Sequence, residues 1–300
     1  MKLASTVFLG ALLAASQPAL ANIDIQFDYR YDSSGFFTGA NSSRQDLLNA
    51  AASVFESRFQ DNLTAISSPN TFSASFYEPD NGKITSIPNF GVAADQIVIF
   101  AGAYNLGGTL AVGGPGGSPL NDATSRGQPG ALASVATDFA PWGGAISFNS
   151  ASNWYMDTNT NTNESFSGFD FYSVAVHELA HVLGFGTASS FNNLISGGLF
   201  TGPAVNALLG YDPSVTSDGH WASGLSYLGQ ETAMDPSIAA GQRKHFTELD
   251  YAAMKDMGWQ VSAVPEADTW TMMMAGLGLL GWRLRACRRK GGRTGRKELI

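Results

Sequence analysis

Cysteine is almost missing from this 300-residue sequence, which contains only Cys287. A single thiol cannot form a disulfide within the chain, so a disulfide-stapled scaffold is excluded. No cysteine lies upstream of Cys287, so none is available to block a metal site in the body of the protein. Export therefore has to be argued from the N-terminal segment and not from cysteine usage.

Positive charge is scarce between residues 22 and 264, where 22 Asp and Glu face 8 Lys and Arg, a net charge of −14. Because phosphate contacts require a basic surface, this excess of acid argues against nucleic acid as a partner. Beyond Trp282 the balance reverses, and basic residues face Glu298 alone. The basic end requires an explanation separate from that of the acidic body.

An apolar run long enough to span a bilayer comfortably is also missing. At the N-terminus, apolar residues 7–15 and small residues ending at Ala21 predict a secretory signal over residues 1–21. Near the C-terminus, residues 269–282 are uncharged, but 14 residues fall short of the about 20 that cross a membrane. The basic residues that follow indicate that this end stays in the cytoplasm while the body lies outside.

The body carries strand and helix patterns in alternation. Strand composition predicts strands over residues 23–31, 71–77 and 96–103, and the last is apolar enough to lie centrally in a sheet. Residues 43–63 place apolar side chains on one stripe and predict a helix laid across that sheet. The glycine-rich residues 107–117 lack the lysine of a nucleotide site and predict a flexible surface loop.

Histidine is rare as well, yet two of the four histidines form the motif HELAH with His177, Glu178 and His181. Positions four apart share one face of a helix, so both rings can bind the same metal ion. Glu178 is too close along the helix to be a comfortable third ligand, but it is well placed to take a proton from water held on the metal. This arrangement is typical of hydrolases.

The residues around the motif predict a helix. Apolar residues recur at helical spacing from Phe169 to Leu183, Ser167 and Asp170 form a capping pair, and Gly184 ends the helix. A catalytic zinc ion usually keeps three protein ligands and one open position, so a third donor has to come from downstream.

In the extended pattern HExxHxxGxxH the last histidine position is occupied by Thr187, a poor zinc ligand. The remaining candidates for the third donor are His220, His245 and a carboxylate such as Glu231.

Three more segments complete the body. Residues 142–154 predict an edge strand that could pair with an extended substrate backbone, although an ordinary core strand fits the same pattern. Residues 157–164 offer oxygen ligands, but their spacing matches no calcium loop, so calcium is possible but unsupported. A short helix is expected within residues 192–209, and Thr247 and Gly258 cap and end a last helix.

These residues resemble the metzincin zinc proteases, and within them the leishmanolysin-like group, whose third histidine lies far downstream. The match covers HELAHVLGFG, the pair His220 and Trp221, a methionine turn at Met234 and a closing helix that ends in DMGW. The resemblance implies that His220 is the third zinc ligand and that Met234 forms an apolar floor below it. His245, which follows two basic residues, is then a surface or helix-entry residue, and Thr187 argues against short-spaced subgroups such as the matrixins.

The same resemblance implies the fold. It predicts an α+β, metzincin-like zinc protease domain over residues 22–262, with a twisted mixed sheet, an active-site helix and a less regular C-terminal subdomain.

Residues 263–300 resemble the PEP-CTERM sorting signal of bacterial exported proteins, in which a Pro-Glu-Pro motif precedes an apolar segment and terminal arginines. Here the motif reads Pro265-Glu266-Ala267. The resemblance implies transient insertion into the inner membrane, cleavage near Pro265 by a C-terminal sorting protease of the exosortase type, and release to the cell surface or the surroundings.

The sequence thus predicts a secreted zinc-dependent endopeptidase that acts on proteins or peptides. Zn²⁺ held by His177, His181 and His220 would lower the pKa of bound water towards about 7, and Glu178 would accept its proton. One alternative is an envelope or biofilm matrix protein whose zinc site is structural or decayed, although the retained Glu178 weighs against it. A hydrolase of a non-peptide amide would share the same metal chemistry.

Overall fold

The computed structural model describes residues 22–67, 69, 72–117, 141–161 and 164–263. The chain divides into two units, Met1–Val261 and Ser262–Ile300, and the fold described below belongs to the first. The predicted signal peptide and nearly all of the predicted sorting tail lie outside the described residues. Among the described residues, no helix is long and apolar enough to cross a membrane.

The described residues form short strands and helices in alternation. The strands are β1 (Asp24–Asp28), β2 (Ser73–Tyr77), β3 (Ile84–Pro88), β4 (Gln96–Tyr104), β5 (Ala111–Pro115), β6 (Gly143–Asn149), β7 (Trp154–Tyr155), β8 (Phe169–Asp170), β9 (Ile195–Ser196), β10 (Leu199–Phe200), β11 (Ser226–Tyr227) and β12 (Gln230–Glu231). The α-helices are α1 (Ser43–Glu56), α2 (Phe171–Val182), α3 (Ser189–Asn192), α4 (Pro203–Leu209) and α5 (Glu248–Asp256), and a 3₁₀ turn covers Gly39–Asn41.

The main sheet has four strands in the order β1-β4-β6-β5. β1, β4 and β6 are parallel, whereas β5 runs antiparallel to β6 at the edge. The prediction of a mixed sheet is therefore confirmed. α2 packs against α1 and also against β5 and β6, so the helix that carries HELAH lies directly on the sheet.

β4 shows why the sheet is buried on both faces. Its side chains alternate, and Ile97 and Ile99 join the large core shared with α1 and α2. Phe100 points to the opposite face, where a second core lies against the β2-β3 hairpin. Its ring stacks on that of Phe76, with centroids 4.1 Å apart. Residues 96–103 are thus a central strand, as predicted.

The edge of the sheet differs from the prediction. The glycine-rich residues 107–117 predict a loop, but they contain β5, one of the two edge strands. For residues 142–154 the sequence leaves an edge strand and a core strand open, and the structure has the core strand, because β6 lies between β4 and β5 and every residue of it is buried. Glycine permits this packing because a Cβ on Gly144 would lie 2.1 Å from the Gly114 carbonyl oxygen.

The helices lie where the sequence predicts them, but some of their ends differ from the prediction. α1 begins at Ser43 but ends at Glu56 and not near residue 63, since the chain turns there so that Phe59 bridges to Val261. α5 begins after Thr247 as predicted, and Thr247 and Asp250 form a reciprocal capping box. Beyond α2 the chain contains short helices and two-residue strands, in agreement with the less regular C-terminal part.

The start of α2 corrects the predicted cap. Asp170, and not Ser167, is the N-cap residue, and its side chain accepts a hydrogen bond from the Ser173 amide. Arg243 donates to both Asp170 oxygens at 2.9 and 3.0 Å, which fixes this end of the helix to the segment before α5. Gly184, with φ 104°, follows the helix at its predicted end.

Candidate metal centre

Three histidine side chains meet in the structure. His177 and His181 lie one turn apart on α2, and His220 arrives from the loop between α4 and β11. Each of the three Nε2 atoms lies 3.1 Å from the other two. Within the described part of the chain, this is the group of side chains with the geometry to hold a metal ion.

The rings on α2 are oriented by main-chain carbonyls. His177 Nδ1 lies 2.8 Å from the Ala233 oxygen, and His181 Nδ1 lies 2.8 Å from the Phe185 oxygen. A carbonyl can only accept, so each Nδ1 carries the proton and each Nε2 presents a lone pair. Burial lowers the pKa of His181 to about 4. The pKa of His177 is lowered well below its ordinary value, mainly by burial and to a smaller extent by the neighbouring His181. Both rings are therefore neutral, the form in which an imidazole can bind a metal ion.

His220 is held by a tight turn. Its amide donates to Thr216 Oγ1 at 3.0 Å, and its carbonyl accepts from the Thr216 amide at 2.8 Å. His220 Nδ1 is buried without a hydrogen bond, but it lies 3.2 Å from a carboxylate oxygen of Asp218. Asp218 is thus close enough to orient the ring, in the manner of the carboxylates that support metal-bound histidines.

Two glycines let this loop reach the histidine pair. Gly186 and Gly219 both have positive φ, at 71° and 84°, and a Cβ on Gly186 would lie 2.1 Å from the Gly219 oxygen. Only glycine fits such a close backbone crossing. The crossing brings the residue after Gly219 to the C-terminal end of α2.

The three nitrogens fit a divalent metal ion. At tetrahedral angles, Zn–N bonds of about 2.0–2.1 Å place ligand nitrogens roughly 3.3 Å apart, close to the observed spacing. The converging Nε2 lone pairs of His177 and His181 repel each other, and a cation bound between the rings would relieve that repulsion.

Glu178 lies in the same cleft beside the edge strand. It is only 6% exposed, and burial raises its pKa to about 8 against the opposing effect of a hydrogen bond from the Gly113 backbone. A Cβ on Gly113 would lie 2.6 Å from the Glu178 carbonyl oxygen and 3.0 Å from Oε2. β5 therefore packs on α2 at the position of this carboxylate.

Met234 of the predicted methionine turn and its neighbour Ala233 contact the two segments that carry the clustered histidines. Met234 is completely buried, and its carbonyl accepts from the Trp221 amide at 3.0 Å. The Asp250 carboxylate accepts from the Trp221 indole at 2.9 Å and from the Ala233 amide at 3.1 Å. A buried network thus joins the residue after His220 to the residue that orients His177.

The other candidate donors lie elsewhere. Thr187 donates its hydroxyl to the His181 carbonyl at 2.7 Å, so it supports the end of α2. The half-buried His245 ring packs near Tyr172, with centroids 6.0 Å apart. Glu231 pairs with the Lys244 ammonium at 3.2 Å. His245 lies two residues before the N-cap of α5, in agreement with the prediction of a helix-entry residue, and the preceding Lys244 is buried.

The calcium expectation gains no support. Asp157 lies 3.7 Å from Arg243, and the Glu164 carboxylate accepts from the Tyr155 hydroxyl. Residues 162–163 of this segment lie outside the described residues.

Several residues that support the site are not part of any motif recognised in the sequence. They are the carbonyls of Ala233 and Phe185, the edge-strand Gly113, the buried Asp250 and the buried Lys244. Of these, only Asp250 belongs to a pattern that the sequence reveals, because Thr-x-x-Asp at the start of a helix is a capping pattern.

The candidate ligands and Glu178 line one cleft of about 780 Å³. Its lining includes residues of β5, of α2 and of the segment from Ala233 to Ile238. Val112 of β5, which is part of this lining, is 54% exposed.

Comparison with known protein families gives two matches. Residues 121–197 match the matrixin family of peptidases, and residues 263–290 match the PEP-CTERM protein-sorting motif. No curated protein and no solved structure matches the chain significantly. The matrixin match includes α2 but ends before His220, and it goes against the expectation drawn from Thr187.

A matrixin match implies zinc, and the three-histidine cluster offers a place for it. The mixed sheet with few helices is consistent with the same fold. The two matches together support a metzincin-type metalloprotease that carries a C-terminal sorting signal for export.

Proposed function

We propose that this protein is a secreted zinc-dependent endopeptidase with His177, His181 and His220 as zinc ligands and Glu178 as general base. The observation that carries the proposal is the convergence of three Nε2 atoms at 3.1 Å beside a carboxylate in an open cleft. A site with a purely structural role would have no use for that carboxylate.

Zinc bound by three histidines supplies Lewis acidity that activates water and polarises a carbonyl group. The chain's own residues do the rest. Ala233 and Phe185 keep the imidazoles in the tautomer that presents Nε2. Glu178 accepts a proton from water as the water attacks the scissile carbonyl, and then delivers that proton to the leaving nitrogen.

The substrate is proposed to lie along β5. As the edge strand of the sheet, β5 can accept an extended peptide as a further strand. Because Gly113 of β5 contacts Glu178, a peptide on the outer side of β5 passes the general base. The sequence suggests residues 142–154 as the strand that pairs with the substrate, but we assign this pairing to β5, Ala111–Pro115.

The sorting motif supports export to the cell envelope or surface. We propose that residues 1–21 direct secretion, that residues 22–262 form the catalytic domain, and that residues 263–300 hold the protein transiently in the inner membrane. A sorting protease of the exosortase type then cleaves near Pro265 and releases the enzyme.

Metal analysis of the purified protein combined with a peptide-cleavage assay tests the proposal. We expect one zinc per chain and cleavage of peptide bonds that a chelator abolishes and added zinc restores. Stoichiometric zinc without cleavage of any peptide would instead favour the matrix-protein alternative. Cleavage confined to small non-peptide amides would favour the other alternative, a hydrolase of a non-peptide amide.

A further inference from the structure

The lining of the cleft includes a buried lysine, Lys244, that the proposed chemistry does not use. The same lining includes Val174 and His177 of α2, and Pro236 and Ile238 of the segment from Ala233 to Ile238. The Lys244 side chain is only 4% exposed. A buried ammonium at the wall of a binding cleft calls for an explanation, because lysine is almost never buried unless it is paired.

The main chain of Lys244 is fixed to the metal-bearing helix. Its amide donates to Ser173 Oγ at 2.7 Å, and its carbonyl lies 3.0 Å from the same hydroxyl. Ser173 lies four residues before His177, so it shares that face of α2. Lys244 therefore lies one helical turn from the first candidate ligand.

The side chain of Lys244 reaches across to the opposite wall. Its ammonium donates to the Ser237 carbonyl at 2.5 Å and lies 3.3 Å from Asp235 and 3.2 Å from Glu231. The contact with Ser237 is a hydrogen bond, and the two carboxylates form ion pairs with the ammonium. Lys244 thus links α2 to the wall and closes the gap between them.

The chemistry of this closure restricts what can enter. The carboxylates of Asp235 and Glu231 beside the ammonium would repel a substrate carboxylate. A long aromatic side chain would have to displace the ammonium and leave the fully buried Asp235 without its cation, which is costly. A short uncharged side chain meets neither obstacle.

We propose that Lys244 is a specificity-determining residue that closes the substrate side-chain pocket beside the metal and limits it to short, uncharged side chains. This inference rests on the proposed peptidase function. An extended peptide on β5 turns alternate side chains towards the cleft, so the side chain next to the scissile bond enters the space above Lys244.

The test varies one substrate position in three proteins. Peptides with Ala or Phe after the scissile bond are compared by their kcat/KM ratio in the unaltered enzyme, Lys244→Ala and Lys244→Arg. We expect the unaltered enzyme to prefer Ala, Lys244→Ala to shift the ratio towards Phe by at least about tenfold, and Lys244→Arg to retain the original preference. Lys83→Ala, at an exposed lysine in the β2-β3 connection, is the matched control and should change nothing.

A second measurement does not depend on turnover or on a folded Ala variant. Two peptide hydroxamates that differ only in a methyl or benzyl side chain are titrated against the zinc-loaded unaltered protein and Lys244→Arg. Tighter binding of the benzyl compound by the unaltered protein would overturn the proposal, as would equal Ala-to-Phe ratios in folded Lys244→Ala and the unaltered enzyme. A protein that binds zinc and selects the methyl compound but cleaves no peptide contradicts the proposed function and leaves the pocket assignment intact.

Discussion

At the scale of single residues, the site depends on how the imidazole rings are turned. His177 and His181 each donate a hydrogen bond from Nδ1 to a main-chain carbonyl, so their Nε2 lone pairs converge. Such contacts decide whether a histidine is a ligand or merely a buried ring. The carboxylate beside them then decides between a structural and a catalytic site.

The role of Glu178 can be separated from metal binding. Glu178→Gln retains the shape of the side chain but removes the basic oxygen, so we expect zinc to stay bound while turnover falls by at least about 100-fold. Metal analysis and initial rates on the same preparation check this. Turnover close to that of the unaltered enzyme would contradict the mechanism, and joint loss of zinc and activity would assign Glu178 a structural role.

The third ligand has its own test. His220→Ala should leave two protein ligands, weaken zinc binding by more than about 100-fold and abolish cleavage. His245→Ala is the control, because that ring packs near Tyr172 away from the cluster, and it should leave both quantities nearly unchanged. The reverse result, with zinc lost only from His245→Ala, would overturn the assignment.

Thr187→His in the His220→Ala background asks whether the short-spaced ligand position is usable. The Thr187 hydroxyl is directed to the His181 carbonyl, so we expect a histidine there not to restore zinc binding. Competition with a chromogenic chelator measures the affinity. Recovery of stoichiometric zinc would mean that the chain after Gly184 can follow the matrixin course.

At the scale of elements, the distance between β5 and α2 is set by glycine. Gly113 faces the helix at the residue that carries the proposed base, whereas nothing lies within 4 Å of a Cβ placed on Gly114. Alternate residues of a strand face opposite sides, so one side of β5 tolerates a side chain and the other does not.

This contrast gives a matched pair of variants. In Gly113→Ala the new methyl group would meet the α2 backbone at 2.6 Å, so β5 or Glu178 must move, and we expect at least about a tenfold loss of kcat/KM with zinc retained. Gly114→Ala should change kcat/KM by less than about twofold, since its methyl group enters open space. Equal rates for the two variants would show that the position of β5 does not matter for catalysis.

At the scale of the whole molecule, an acidic body with a net charge of −14 joins a basic C-terminal end. The match to a protein-sorting motif over residues 263–290 includes the start of this basic end. Under the proposed sorting function, the basic residues after the apolar segment would stay on the cytoplasmic side of the membrane.

Deletion of residues 283–300 tests the sorting tail. Without the basic residues, we expect the protein to pass through the membrane without a membrane-bound intermediate. Cell fractionation with an antibody to the body follows both forms over time. If the full-length and shortened proteins both appear in the soluble fraction with intact C-termini, the tail is not a sorting signal.

The sequence by itself determined what depends on neighbours within a helical turn. The spacing of His177 and His181 places both on one helix face, and the Thr247 cap begins α5, because helix geometry and capping are local. The central strand β4 was predictable for a similar reason, since a long apolar run has to be buried.

Only the tertiary structure decided which distant residues join them. His220 reaches the pair because Gly186 and Gly219 let two backbones cross, and a glycine in a sequence does not reveal its partner. Residues 111–115 form an edge strand although their glycines favour a loop, because Gly144 of β6 and Gly113 of β5 allow close approach of β5 to β6 and to α2. Lys244 is buried because the carboxylates of Glu231 and Asp235 and the Ser237 carbonyl lie around its ammonium, and such pairing exists only after the chain has folded.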